Sequence, residues 1–136
     1  MTKYAGCKAA DKYARDVVSG KQLAGRWIIA ACQKHLDDLK KQTDESYPFY
    51  FDSAKAEKVL KFIQLMPHTK GKWARTSEKL KLEPWQMFFV ANVFGWCKKK
   101  NGLRRYRQAN LWVPIKNGQS ALAAAIGVYM LTADGE

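Results

Sequence analysis

Thiols, carboxylates and long apolar runs are all in short supply in this chain of 136 residues. The three cysteines, Cys7, Cys32 and Cys97, are odd in number and far apart, with no C-x-x-C and no Cys/His pair at zinc spacing. That pattern excludes the common structural zinc sites and leaves reduced, buried or half-buried thiols as the expectation. No apolar run approaches ~18 residues and the N-terminus lacks a signal-peptide pattern, so the expected setting is cytoplasmic, without membrane contact. Asp and Glu together number 12, half the count of Lys and Arg. No paired carboxylates and no Ser/His/Asp set offer themselves for hydrolysis. Asp37-Asp38 and Asp44-Glu45 read as solvated helix and linker charges, and Asp134 and Glu136 as turn residues. His35 and His68 are singletons, expected to pack or cap rather than catalyse. There is no internal repeat and no low-complexity tract.

What is abundant is positive charge. The net charge is +12 while 47% of residues are hydrophobic, so a single domain with a modest core is expected, facing polyanionic partners such as nucleic acid or nucleotide phosphates. Lys98, Lys99, Lys100, Arg104, Arg105 and Arg107 crowd around Asn101-Gly102, with Tyr106 among them. A second cluster, Lys70, Lys72, Arg75, Lys79 and Lys81, surrounds Trp73. Either can meet DNA phosphates or a neighbouring subunit. Lys98 to Lys100 can equally complement the C-terminal dipole of the helix they are expected to end.

Hydrophobic periodicity predicts helices over 4–18, broken by Ser19-Gly20, and over 21–42, with Leu23, Trp27, Ala30, Ala31, Leu36 and Leu39 on one stripe. A linker follows over 43–50. A third helix, capped by Asp52 or Ser53, runs to Met66 and buries Val59, Leu60, Phe62, Ile63 and Leu65, with Pro67 as terminator. After an extended basic loop over 68–81, Pro84 suits the first turn of a fourth helix over 83–100, apolar on most sides and stopped by Asn101-Gly102.

Residues 109–113 read as a short strand and 121–131 as an Ala-rich helix. Between them stands V-P-I-K-N-G-Q-S (113–120). Strand, tight loop and helix N-terminus is the arrangement of a phosphate-binding loop. Against the pattern G-x-x-x-x-G-K-[ST], Gly118 and Ser120 fit, Val113 replaces the first Gly, and Gln119 stands where the phosphate-binding Lys belongs. Either Lys116 reaches the phosphates from the other side of the loop, or the site has lost its anchor. A P-loop fold needs a parallel sheet, and only one strand is evident. The fold expected is a mainly α N-terminal region leading into the first strand, P-loop and helix of an α/β P-loop NTPase domain. Its sheet is incomplete in this chain, with the missing strands expected beyond Glu136.

Six stretches in order carry a family resemblance: Y-A-R-D-V-V-S-G-K (13–21), P-H-T-K-G-K-W-A (67–74), L-E-P-W-Q (82–86), F-G-W (94–96), V-P-I-K-N-G-Q-S-A-L-A-A-A-I-G (113–127) and Y-M-L-T-A-D-G-E (129–136). Together they resemble the N-terminal part of a bacteriophage terminase large subunit, the ATP-driven motor that packages viral DNA into procapsids. The resemblance implies a helical N-terminal region over 1–82 and the start of the ATPase domain over 83–136. It implies ATP contacts at Trp85 and Gln86, the latter toward the adenine, and at Lys116, Asn117, Gly118, Gln119 and Ser120, with Mg2+ on Ser120. It also implies double-stranded DNA on the basic surface, terminase small subunit and portal protein as partners, and a ring of copies in the intact protein. The acidic Walker B pair and nuclease carboxylates of that family lie past this chain's last residue, so the chain alone is not expected to hydrolyse ATP or cut DNA. Two other readings stay open: a non-enzymatic basic helical DNA- or protein-binding module from a truncated prophage gene, and an unrelated P-loop kinase or helicase fragment.

Overall fold

The computed structural model describes residues 4–66, 81–111 and 119–134, with the backbone alone at 119–121. These residues are mainly helical and carry a small two-stranded antiparallel sheet. The first helix, α1 (Ala5–Ser19), turns Cys7, Ala10, Ala14 and Val17 inward and stops at Gly20, whose φ of 88° is a left-handed conformation that glycine adopts without strain. No side chain caps α1 locally. Its first turn is closed by Glu57, whose carboxylate accepts from the backbone N–H of Gly6 (3.3 Å) and Cys7 (3.0 Å). This close approach needs Gly6, since a Cβ there would lie 2.8 Å from Leu60 Cδ1.

The second helix, α2 (Arg26–Lys41), starts later than the periodicity predicts and turns a different face inward. Of the predicted stripe, Leu36 and Leu39 are half-buried, but Leu23 and Trp27 are 93% and 74% exposed and Ala30 and Ala31 are exposed too; the buried residues are Cys32, His35 and Asp38. The physical reason lies in the partners. His35 and Asp38 find complete sets of hydrogen bonds at the core boundary, and buried polar groups are tolerated when they are satisfied. Asp38 is therefore a buried charge and not the solvated one the sequence predicts.

The expected linker ends in a strand, β1 (Phe49–Phe51), followed by α3 (Ser53–Gln64). Asp52 caps α3 as expected, its side chain accepting from Lys55 N at 3.1 Å. Val59, Leu60 and Ile63 are fully buried and Phe62 is half-buried, whereas Leu65 falls past the helix end and is exposed. The expected terminator Pro67 and the basic loop up to residue 80 lie outside the described residues.

The next helix, α4 (Pro84–Gly95), has Pro84 in its first turn and a capping box between Glu83 and Gln86. It ends five residues before Lys100, where the sequence predicts its stop. Trp96–Lys98 instead forms β2, paired antiparallel with β1 in the register Phe49↔Lys98, Tyr50↔Cys97, Phe51↔Trp96. The switch occurs where Gly95 lets the Phe51 ring come close: a Cβ at Gly95 would sit 2.5 Å from Phe51 Cε1. Gly95→Ala is accordingly expected to cost about 1–3 kcal/mol, read as a lower urea midpoint at unchanged slope; a wild-type midpoint would mean that the ring yields freely.

Asn101-Gly102 still acts as punctuation, but as a reversal of the chain beside β2. With Gly102 at φ 73°, Lys98 N bonds Leu103 O (2.8 Å) and Arg105 N bonds Trp96 O (2.9 Å). Both edges of β2 are thus covered, and Gln42 Oε1 accepts from Phe51 N (2.9 Å) on β1's outer side. The expected strand is not seen at 109–111, and 112–113 lie outside the described residues.

The last helix, α5 (Gln119–Thr132), packs on α3 and α4, with Tyr129 against the rings of Phe62 (5.2 Å) and Phe94 (5.5 Å). Leu122, Ala125 and Tyr129 join the core that α1, α3 and α4 build together.

Candidate functional site

The reversal after β2 gathers the six cations of the first basic cluster, and packing divides them by role. Arg105 is the most constrained. Its guanidinium stacks over Phe49 (4.1 Å), with Tyr106 (5.1 Å) and Trp96 (5.6 Å) nearby, and its NH1 donates to Asp38 Oδ2 at 2.9 Å. Arg104 is ion-paired with Asp134 and lies over the Phe94 ring at 5.3 Å. Asp134, expected only to shape a turn, thereby ties the end of α5 to this segment. Lys99 donates to the carbonyls of Gln42 (2.8 Å) and Asp44 (2.9 Å). The remaining three, Lys98, Lys100 and Arg107, form no ion pair among the described residues.

Asp38 is the hub that holds this segment. Its oxygens accept from Lys34 Nζ (2.8 Å), Tyr47 OH (2.7 Å) and Arg105 NH1 (2.9 Å). Burial pushes the carboxyl pKa up, and the three hydrogen bonds more than reverse this, so Asp38 stays ionised below the usual carboxylate range.

Behind the hub sits His35, 2% exposed. Trp96 Nε1 donates to His35 Nδ1 at 3.1 Å. An indole N–H can only donate, so Nδ1 accepts, and Nε2 carries the proton that faces Asp11 Oδ1 at 2.9 Å. An Asp–His pair normally invites a catalytic reading, yet the third partner is an indole and the ring is enclosed edge-on by Phe51, Phe88 and Trp96. This arrangement orients and locks the ring and offers no nucleophile. The packed role expected for His35 is what it has.

Two grooves flank α4. One, of about 590 Å3, has an apolar floor including Phe89, Val93, Ile126 and Met130 and carries Lys98 and Arg107 in its lining. The other, of about 680 Å3, is lined by Trp27, Ile28, Phe88 and Leu111 and includes Trp85. Gln86 is buried and does not line either groove; its Oε1 accepts from Glu83 N at 2.9 Å in the capping box. Lys116, Asn117 and Gly118 lie outside the described residues; Gln119 and Ser120 are the first two residues of α5. Of the second basic cluster only Lys81 is described, and it is exposed.

The thiols are buried. Burial, with Glu57 adding to it, pushes Cys7 up to about 12, and burial pushes Cys32 up to about 11, so both stay protonated and poorly nucleophilic near neutrality. Among the described residues no three His, Cys, Asp or Glu side chains gather to hold a metal ion. No described helix is long and apolar enough to cross a membrane.

Sequence reasoning missed two polar networks, Asp38 with Lys34, Tyr47 and Arg105, and His35 with Asp11 and Trp96. The signal was faint: His35 and Asp38 are three residues apart on α2, one turn beyond Cys32, a spacing that only the fold reveals as inward. The chain matches no protein-family model, no curated protein and no solved structure.

Proposed function

We propose that this chain is the N-terminal part of a DNA-packaging motor of the terminase large-subunit kind. In this reading ATP phosphates bind at 116–120 and double-stranded DNA runs over Lys98, Lys100 and Arg107. Small terminase, portal and further copies are partners of the intact protein. The observation that carries it is α5 (Gln119–Thr132), a helix that takes in Gln119 and Ser120 of K-N-G-Q-S. The first N–H groups of a helix have no intrahelical acceptor and sit at the positive end of its dipole, which is where a phosphate-binding loop delivers its anion. The P-loop NTPase fold is part of the same proposal.

The residues present fit such a site unevenly. Lys116 would supply the charge that Gln119 cannot, and Ser120 would offer a hydroxyl to Mg2+, which neutralises phosphate charge when bound. Trp85 would pack near the base; with Oε1 of Gln86 held in the capping box, contact with the adenine falls to its amide nitrogen. Lys98, Lys100 and Arg107, uncommitted within the described structure, favour a second reading as well: a non-enzymatic basic module that needs DNA but no nucleotide.

Titration with a fluorescent ATP analogue and Mg2+ separates the two. We expect saturable binding that weakens about tenfold or more in Lys116→Ala and tightens in Gln119→Lys, since a charge-assisted phosphate contact exceeds a neutral one by about 1–2 kcal/mol. Absence of saturable binding in all three proteins would overturn the nucleotide reading in favour of the basic module.

A further inference from the structure

A third concavity, of about 380 Å3, shares Phe94, Leu103 and Arg104 with the first groove. It is lined by Lys55 and Lys58 from α3, the Asn101-Gly102 turn, Arg104, and Phe94, Tyr129 and Asp134. Three cations from two separate stretches of chain line it against one carboxylate, Asp134, which is already paired with Arg104. Neither lysine belongs to the basic clusters visible in the sequence. They stand three residues apart on one face of α3 and are exposed.

Both ammonium groups are held in place. Lys55 Nζ donates to Gly102 O at 2.8 Å, and Lys58 Nζ donates to Ala133 O at 2.7 Å. Lys55 Nζ also donates to Cys97 Sγ at 3.8 Å; an ammonium has three N–H donors, so Lys55 keeps one and Lys58 two for a further acceptor. A lysine anchored to a carbonyl has already lost most of its rotamer freedom, so an arriving anion meets a cation that is oriented beforehand. The surplus positive charge therefore calls for an anion of more than one acceptor oxygen. The cavity's Asn101-Gly102 wall follows Lys100 directly in the chain, and Lys98 ends the strand that leads into it.

We propose that Lys55, Lys58 and Arg104 form a binding site for a backbone phosphate of duplex DNA, continuing the track of Lys98 and Lys100 onto α3. This rests on the reading that the basic surface meets DNA. Its occupant is a phosphodiester read without regard to base, the kind of contact that sets register and affinity and carries no sequence information.

The test is binding of a fluorescently labelled duplex of about two helical turns to the full chain, measured by anisotropy over a range of salt. Lys55→Gln/Lys58→Gln is compared with Lys98→Gln/Lys100→Gln and with Lys55→Arg/Lys58→Arg. We expect the first pair to flatten the slope of log K against log salt by about 0.9 for each phosphate contact removed, and the Arg pair to keep the wild-type slope. Because both lysines also anchor backbone carbonyls, a second measurement uses the wild-type chain: duplex should protect Lys55 and Lys58 from an amine-reactive label, read by mass spectrometry. If wild type binds duplex and Lys98→Gln/Lys100→Gln weakens it, while the α3 lysines stay unprotected and their Gln pair binds normally, the α3 site is overturned alone. If wild type binds no duplex, the DNA reading falls and this site with it. Protection by millimolar inorganic phosphate but not by duplex would overturn the DNA assignment in favour of a free phosphate.

Discussion

Trp96→Ala is expected to lower the unfolding free energy by about 3–5 kcal/mol, a large share of the ~5–15 kcal/mol that a domain of this size commands. Trp96 is the largest fully buried side chain among the described residues, and its loss acts three ways. It opens a cavity between Phe51 and His35, it removes a wall beside the Arg105 guanidinium, and it leaves His35 Nδ1 with no donor. Trp96→Phe separates these effects: it keeps much of the volume and removes the N–H, so its cost should be nearer the ~1–3 kcal/mol of an unsatisfied buried acceptor. Urea unfolding of the two variants is the measurement. A loss below about 1 kcal/mol for Trp96→Ala would mean that the core around His35 closes over the gap.

The second large effect belongs to Asp38. Asp38→Ala removes the shared acceptor of Lys34, Tyr47 and Arg105, and leaves the Arg105 charge, 13% exposed, without its partner. Breaking a buried pair from one side costs about 3–5 kcal/mol; the lower end is expected here because Lys34 is half in solvent. The pH dependence has a definite sign. The folded carboxyl holds its proton less tightly than the unfolded one, so the unfolded chain binds more protons in acid. The stabilisation is complete above the ordinary value of 3.8 and is lost as pH falls through the lower folded value. Asp38→Asn should remove this acid-sensitive component from a plot of stability against pH. An unchanged acid limb would show that other carboxylates govern it.

Local signals in the sequence announced the helices well. The Gly20 stop, the Asp52 cap, the Pro84 start and the buried run Val59, Leu60 and Ile63 are written in neighbouring residues. What stayed hidden was everything decided between distant residues. The orientation of α2 follows from partners on α1, on β2 and in the 103–107 segment, so an apolar stripe containing Trp27 misled while His35 and Asp38 turned inward. The helix-to-strand switch at Gly95 depends on the Phe51 ring, more than forty positions earlier, and no helical periodicity can register that. In the basic cluster, charge was legible but commitment was not. Arg105 and Lys98 look alike as letters, and only the Asp38 hub shows that Arg105 is fastened down. The Ala-rich helix expected over 121–131 is present as α5 (Gln119–Thr132), while 112–118 lie outside the described residues.

The carboxylate of Glu57 closes the first turn of α1 from 50 residues away. A helix completed by a remote residue cannot nucleate as a self-sufficient unit, because its opening turn is ordered only when α3 docks. Two separate processes are thereby fused into one cooperative event, and the chain must close a long loop before its first helix gains its last stabilising bonds. The N-terminal helix is thereby coupled to assembly: whatever prises α3 from its neighbours also strips two acceptors from the first turn of α1.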